Sequence, residues 1–144
     1  MLKKLSCFSL FNMPSQFRVD SNKLKSNYYT LSKKYHPDKN KTEKNFHKIT
    51  TAYNILKDDL QRAEYLVNIK DNKERIKHDM GFLSSIMELE ERCYSTDKSD
   101  EENKIILNKI LDDKINECKD DINLMNVSRW KYFKRIKDDF NGKQ

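Results

Sequence analysis

The residues best placed to do chemistry in this chain fall in one short run, KKYHPDKN at 33–40, where His36, Pro37 and Asp38 follow an amphipathic, lysine-rich stretch. Pro37 disfavours helical dihedrals at His36, so a plain helix stop accounts for the proline by itself. It does not account for the histidine or the aspartate. Catalysis by His36 as a base would need a nucleophile and an orienting partner nearby, and none can be named. The other candidates are scattered. His36, His47 and His78 have no ligand spacing to one another or to Cys7, Cys93 and Cys118, and the cysteines form no C-x-x-C pair. Neither a zinc site nor a disulfide framework is indicated, and a reducing compartment fits. With no Gly-rich phosphate loop, nucleophile elbow or paired catalytic carboxylates, the expectation is a non-enzyme with no catalytic residue, metal or cofactor.

The elements around this run must decide what it does. A chain of 144 residues fits one domain, or two very small ones sharing a contact. Two glycines, two prolines and the scarcity of alternating β-branched runs give an all-α class. No apolar stretch approaches the ~20 residues of a membrane span, so a soluble chain without a membrane partner is expected. The net charge of +6 is uneven: residues 1–70 carry 14 Lys+Arg against 6 Asp+Glu, and residues 71–144 carry 15 against 17. A basic first half suggests an acidic partner, nucleic acid being the default candidate, unless the lysines merely solvate exposed faces.

Asp20 or Ser21 can cap a first helix in which Leu24, Tyr28, Leu31 and Tyr35 form one buried stripe. Lys33 then points away from that stripe; Lys23, Thr30 and Lys34 share one flank and Lys25 lies on the other. A second helix from near Thr42 places Phe46, Ile49, Ala52, Tyr53 and Leu56 on one face, to pack antiparallel on the first. KYHPDKNKT is then the tip of a helical hairpin. A third helix, DLQRAEYLVNI, offers Leu60, Ala63, Leu66 and Ile69.

YHPDKN, then FHKITTAYNIL, then QRAEYL together resemble the J-domain over roughly residues 6–69, the F-x-x-I-x-x-A-Y-x-x-L pattern on the second helix adding to the HPD tripeptide. The resemblance implies a co-chaperone that stimulates the ATPase of a DnaK-type (heat-shock 70 kDa class) chaperone. His36, Pro37 and Asp38 would be the essential contact and Lys33, Lys34 and Lys25 auxiliaries. Charge on such a face acts on association rate and specificity more than on affinity.

In the second half, Phe82, Ile86, Leu89 and Cys93 form a core stripe, whereas Leu83 and Met87 sit about 100° and 140° around the helix and Glu91 continues their line. QRAEYL followed by GFLSSIMELEERC resembles the HscB-type J-proteins of iron-sulfur cluster assembly, whose C-terminal helical domain binds the cluster scaffold protein. By that resemblance Leu83, Met87, Glu88, Glu91 and Tyr132 are the scaffold contacts, with Ser84 standing where a methionine is usual. Ser99 and Glu102 suggest a capping box for a long helix carrying Leu107, Leu111, Ile115, Cys118, Ile122 and Met125; a last helix near Val127–Phe140 adds Trp130, Phe133 and Phe140. The expected organisation is a J-domain at 1–70, a linker at 71–80 and a three-helix scaffold-binding domain at 81–144.

The segment from Lys39 to Ala52 is shorter than in bacterial relatives, DNKERIKHD is an abbreviated connection, and Cys7 stands alone where some animal relatives carry a zinc-binding extension. Only MLKKL precedes the aligned region, which suggests a mitochondrion or relict mitochondrion (mitosome), with a cytoplasmic protein as the alternative. A monomeric co-chaperone serving a cluster scaffold leads. A J-protein with another client and a basic nucleic-acid binder, supported by charge alone, follow it.

Overall fold

The computed structural model describes residues 6–36, 43–70 and 76–142; Pro37, Asp38 and Thr42 lie outside them. The described elements are all helices: α1 (Cys7–Leu10), α2 (Ser21–Lys34), α3 (Glu43–Lys57), α4 (Asp59–Lys70), α5 (Met80–Ser95), α6 (Glu101–Asp120) and α7 (Leu124–Phe140). They fall into two compact units, residues 1–70 and 71–144. None of the helices is long and apolar enough to cross a membrane.

In the first unit, Asp20 caps α2 by accepting from the backbone N–H groups of Asn22 and Lys23 at 3.0 and 3.1 Å, which satisfies donors that a helix start leaves unpaired. One face of α2 is apolar at helical spacing. Leu24 is fully buried there, and Tyr28, Leu31 and Tyr35 pack around it against Ile49, Ala52 and Leu56 of α3. Two ring contacts fix the direction of the pairing. Tyr28 stacks on Tyr53 at 4.1 Å, and His36 meets Phe46 edge-on at 5.7 Å. Moving forward along α2 thus means moving backward along α3, an antiparallel hairpin whose tip lies beyond His36.

The short α1 closes this core with Phe8 and Phe11. A turn at Asn12, in the left-handed region at φ 54°, follows it, a conformation asparagine tolerates better than most residues. Arg62 of α4 is buried among apolar neighbours. Its guanidinium donates to the carbonyl oxygens of Phe17 and Leu56 and to Asp59 at 2.6–2.7 Å and lies over the Phe17 ring. A buried arginine is tolerable only because its donors are matched in this way.

In the second unit each helix starts on an Asx side chain. Asp79 accepts from Phe82 N–H at 2.7 Å, Asp100 from Asn103 N–H at 3.1 Å and Asn123 from Asn126 N–H at 2.8 Å. Two sequence-based expectations need correction here. Met80 belongs to α5, not to the linker. The cap of α6 is Asp100 rather than Ser99, whose hydroxyl donates to Asp97 instead; the first helical turn closes on Asp100, so its carboxylate is the one that meets the Asn103 N–H. Helix α7 packs on both α5 and α6, burying Val127, Trp130, Phe133 and Ile136 against Phe82, Ile86, Leu89 and Cys93 on one side and Leu107, Leu111 and Cys118 on the other. Ile115, Ile122, Met125 and Phe140 are only half-buried. Arg135 pairs with Glu90 at 2.8 Å and Lys137 with Asp112, tying α7 to both neighbours.

Candidate functional site

The hairpin carries the first set of candidate residues. Lys25, Lys33, Lys34 and His36 are all exposed, because the stripe that buries Leu24 turns the rest of α2 outward. His36 is the last described residue before the tip, so the lysines lead along the helix surface toward it. Half-exposed Tyr29 escapes sequence reasoning although its spacing carries the signal: Lys25, Tyr29 and Lys33 recur every four residues. Together with Asn22, Ser26 and Thr30 they line a shallow hollow, the Lys25 ammonium lying 6.0 Å from the centre of the Tyr29 ring. Such a surface can hold carboxylates by lysine charge and grip apolar stems with the ring.

The second set lies on α5 and α7. Met87 is 70% exposed, and Ser84, Glu88 and Glu91 are exposed beside it. These four line a groove of about 1030 Å³ between α5 and α7, whose far wall includes Arg135, Ile136 and Phe140. The other two expected contacts are placed differently. Leu83 is half-buried rather than fully outward. Tyr132 is half-buried as well, its ring 5.6 Å from Phe82 and 5.3 Å from His78, with the Arg135 guanidinium over it at 5.4 Å. It therefore flanks the ridge through Phe82 and Arg135 instead of lining the groove. Met80 and Tyr94, 77% and 94% exposed, lie outside the contacts expected from sequence; they extend the Met87 line by one heptad each way.

The thiols offer little chemistry. Burial pushes both the Cys93 and the Cys118 thiol up from the ordinary range, which lowers the thiolate fraction that would be the nucleophile. Among the described residues no cluster of His, Cys, Asp or Glu could hold a metal ion.

Comparison with known proteins meets this geometry from two directions. A model of the DnaJ domain family matches residues 7–65, the unit that contains the hairpin. The co-chaperone protein HscB homolog of Haemophilus ducreyi is 29% identical over 155 aligned positions, which span 90% of each chain. Among solved structures, human co-chaperone protein HscB superposes with a TM-score of 0.83 at 25% identity, over 95% of this chain and 81% of that one. The chaperone HscB from Vibrio cholerae shares the fold with a TM-score of 0.78 at 24% identity, over 95% and 96%. The DnaJ match ends at residue 65, inside the first unit, whereas the HscB likeness runs through both units. The first unit thus carries a DnaJ domain, and along nearly its whole length the chain is similar to the HscB-type J-domain co-chaperones.

Proposed function

We propose that this protein docks on a DnaK-type chaperone through the α2 face and the 36–38 tip, stimulates that chaperone's ATPase, and delivers the iron-sulfur cluster scaffold protein to it for cluster transfer. The observation that carries the reading is the run of exposed lysines on α2 leading to His36 at the end of an antiparallel hairpin. In this reading His36, Pro37 and Asp38 make the directional contacts, and Lys25, Lys33 and Lys34 meet an acidic patch on the chaperone. Met87, Glu88, Glu91 and Leu83 on α5, with Tyr132 on α7, hold the scaffold. A mitochondrial or relict-mitochondrial setting accords with this role.

The test is single-turnover ATP hydrolysis by a DnaK-type chaperone with this chain, with the scaffold protein, and with both. The expected result is stimulation by the chain alone and a larger, more than additive stimulation with scaffold. Stimulation without any scaffold effect would favour a J-domain co-chaperone with a different client, a reading supported by the partial burial of Leu83 and Tyr132. No stimulation at all would overturn the proposal.

A further inference from the structure

His78 stands just before α5, in a segment that reads from sequence as linker, yet it is built into the second unit. Its ring stacks on Phe82 at 4.6 Å and 21° and meets the Tyr132 ring edge-on at 5.3 Å and 89°. Its Nε2 lies 2.7 Å from the Ser128 hydroxyl of α7. Its Nδ1 is buried and makes no hydrogen bond among the described residues. The tautomer that suits this environment keeps the proton on Nε2, donating to Ser128 Oγ, and leaves the unpartnered Nδ1 as a bare lone pair.

The geometry points to His78 as a positioning residue for the scaffold-binding surface: the neutral imidazole, wedged between Phe82 and Tyr132 and tethered to Ser128, fixes where the Tyr132 ring stands beside the α5 ridge. This inference rests on the scaffold reading of Leu83, Met87 and Tyr132. It adds a residue that touches no scaffold itself and makes the surface sensitive to acid. Protonation would create a buried Nδ1–H donor without an acceptor. The charged groups around the ring are Arg129, which lies over the Phe82 ring at 4.9 Å, and Asp79, the α5 cap; Tyr132 is the remaining titratable neighbour. Burial and then the Arg129 charge hold the imidazole below the ordinary histidine value, with Asp79 opposing them. The neutral wedge is therefore complete above pH 6.5 and is lost as pH falls from there through the lower folded value.

The experiment is calorimetric titration of the scaffold protein into wild type, His78→Phe, His78→Ala and Leu83→Ala/Met87→Ala at pH 7.5 and 5.5, with thermal melts of each. Phenylalanine keeps the ring contacts and cannot titrate; alanine removes the wedge. At pH 7.5 the expected order is wild type and His78→Phe alike, with His78→Ala several-fold weaker. At pH 5.5 wild type should weaken toward His78→Ala, while the ratio of His78→Phe to His78→Ala, neither of which carries the titrating ring, stays constant, which removes any titration of the scaffold from the comparison. Wild-type affinity in a folded His78→Ala, or the same pH dependence in His78→Phe as in wild type, would overturn the inference while leaving the ridge in place. Equal binding by wild type and the ridge variant would overturn the scaffold reading itself. If His78→Ala does not fold, the pH profile of His78→Phe still decides.

Discussion

Tyr28 of α2 and Tyr53 of α3 lie face to face, ring centroids 4.1 Å apart and planes 8° from parallel. This pair holds the two arms of the hairpin in register halfway along, and the His36–Phe46 contact repeats the register near the tip. Tyr53→Ala removes the stack and part of a side chain that packs on the core. The expected loss is about 2–3 kcal/mol, somewhat below that of a fully buried aromatic because Tyr53 is half-buried. Thermal denaturation followed by circular dichroism measures it. Tyr53→Phe keeps the stack and should cost under about 1 kcal/mol.

Arg62 closes the first unit by donating to two carbonyls, those of Phe17 and Leu56. Arg62→Ala removes the donors to both carbonyls, that of Leu56 being buried, and should cost about 2–4 kcal/mol. Arg62→Lys should not restore it, because an ammonium lacks the planar fork that reaches both carbonyls and Asp59. Urea denaturation of the three proteins separates these outcomes.

The exposed lysines of α2 are expected to act through screened charge. ATPase stimulation should weaken as salt rises, and Lys33→Ala/Lys34→Ala should both lower stimulation at low salt and flatten its salt dependence. A salt series of stimulated hydrolysis rates checks this. An unchanged slope would remove the two lysines from the mechanism.

Met87 is the cleanest probe of the α5 ridge, since at 70% exposure its truncation costs the fold almost nothing. Leu83→Ala/Met87→Ala should lower scaffold affinity at least tenfold, or about 1.4 kcal/mol. Half-buried Leu83 should also lower the melting temperature slightly. Titration calorimetry beside thermal melts reads both.

Alkylation tests the burial of the thiols. Because Cys93 and Cys118 are buried and held above the ordinary range, both should react with iodoacetamide slowly in native protein at pH 8 and faster as pH rises, since the thiolate is the attacking form. Mass spectrometry of native and urea-unfolded protein should show at least a tenfold difference in rate, about 1.4 kcal/mol of protection.

What the sequence discloses follows from periodicity. The stripes through Leu24 and Tyr28, through Phe82 and Cys93, and through Leu107 and Cys118 repeat at helical spacing, so residue order alone makes both cores and the outward direction of the α2 lysines legible. Contacts between distant residues leave no such trace. Nothing local marks the Arg62 bonds to Phe17 and Leu56, or the approach of His78 to Ser128 and Tyr132 across the second unit. Angle alone puts Tyr132 off the core stripe, and only the packing of α7 on α5 reveals that it leans on Phe82. Ser99 and Asp100 are both good caps, and adjacent candidates cannot be ranked without knowing where the first helical turn closes.

The 36–38 tip is the proposed contact with the chaperone, and His36 is its described residue. Because His36 is exposed, His36→Gln should leave helix content unchanged and lower the melting temperature only slightly, through the lost edge contact with Phe46. The decisive measurement is the single-turnover ATPase rate of a DnaK-type chaperone with wild type and with this variant at matched concentration, with scaffold binding checked in parallel. The predicted result is a variant that still binds scaffold and no longer stimulates hydrolysis; a well-folded variant that stimulates as strongly as wild type would contradict the assignment of the tip.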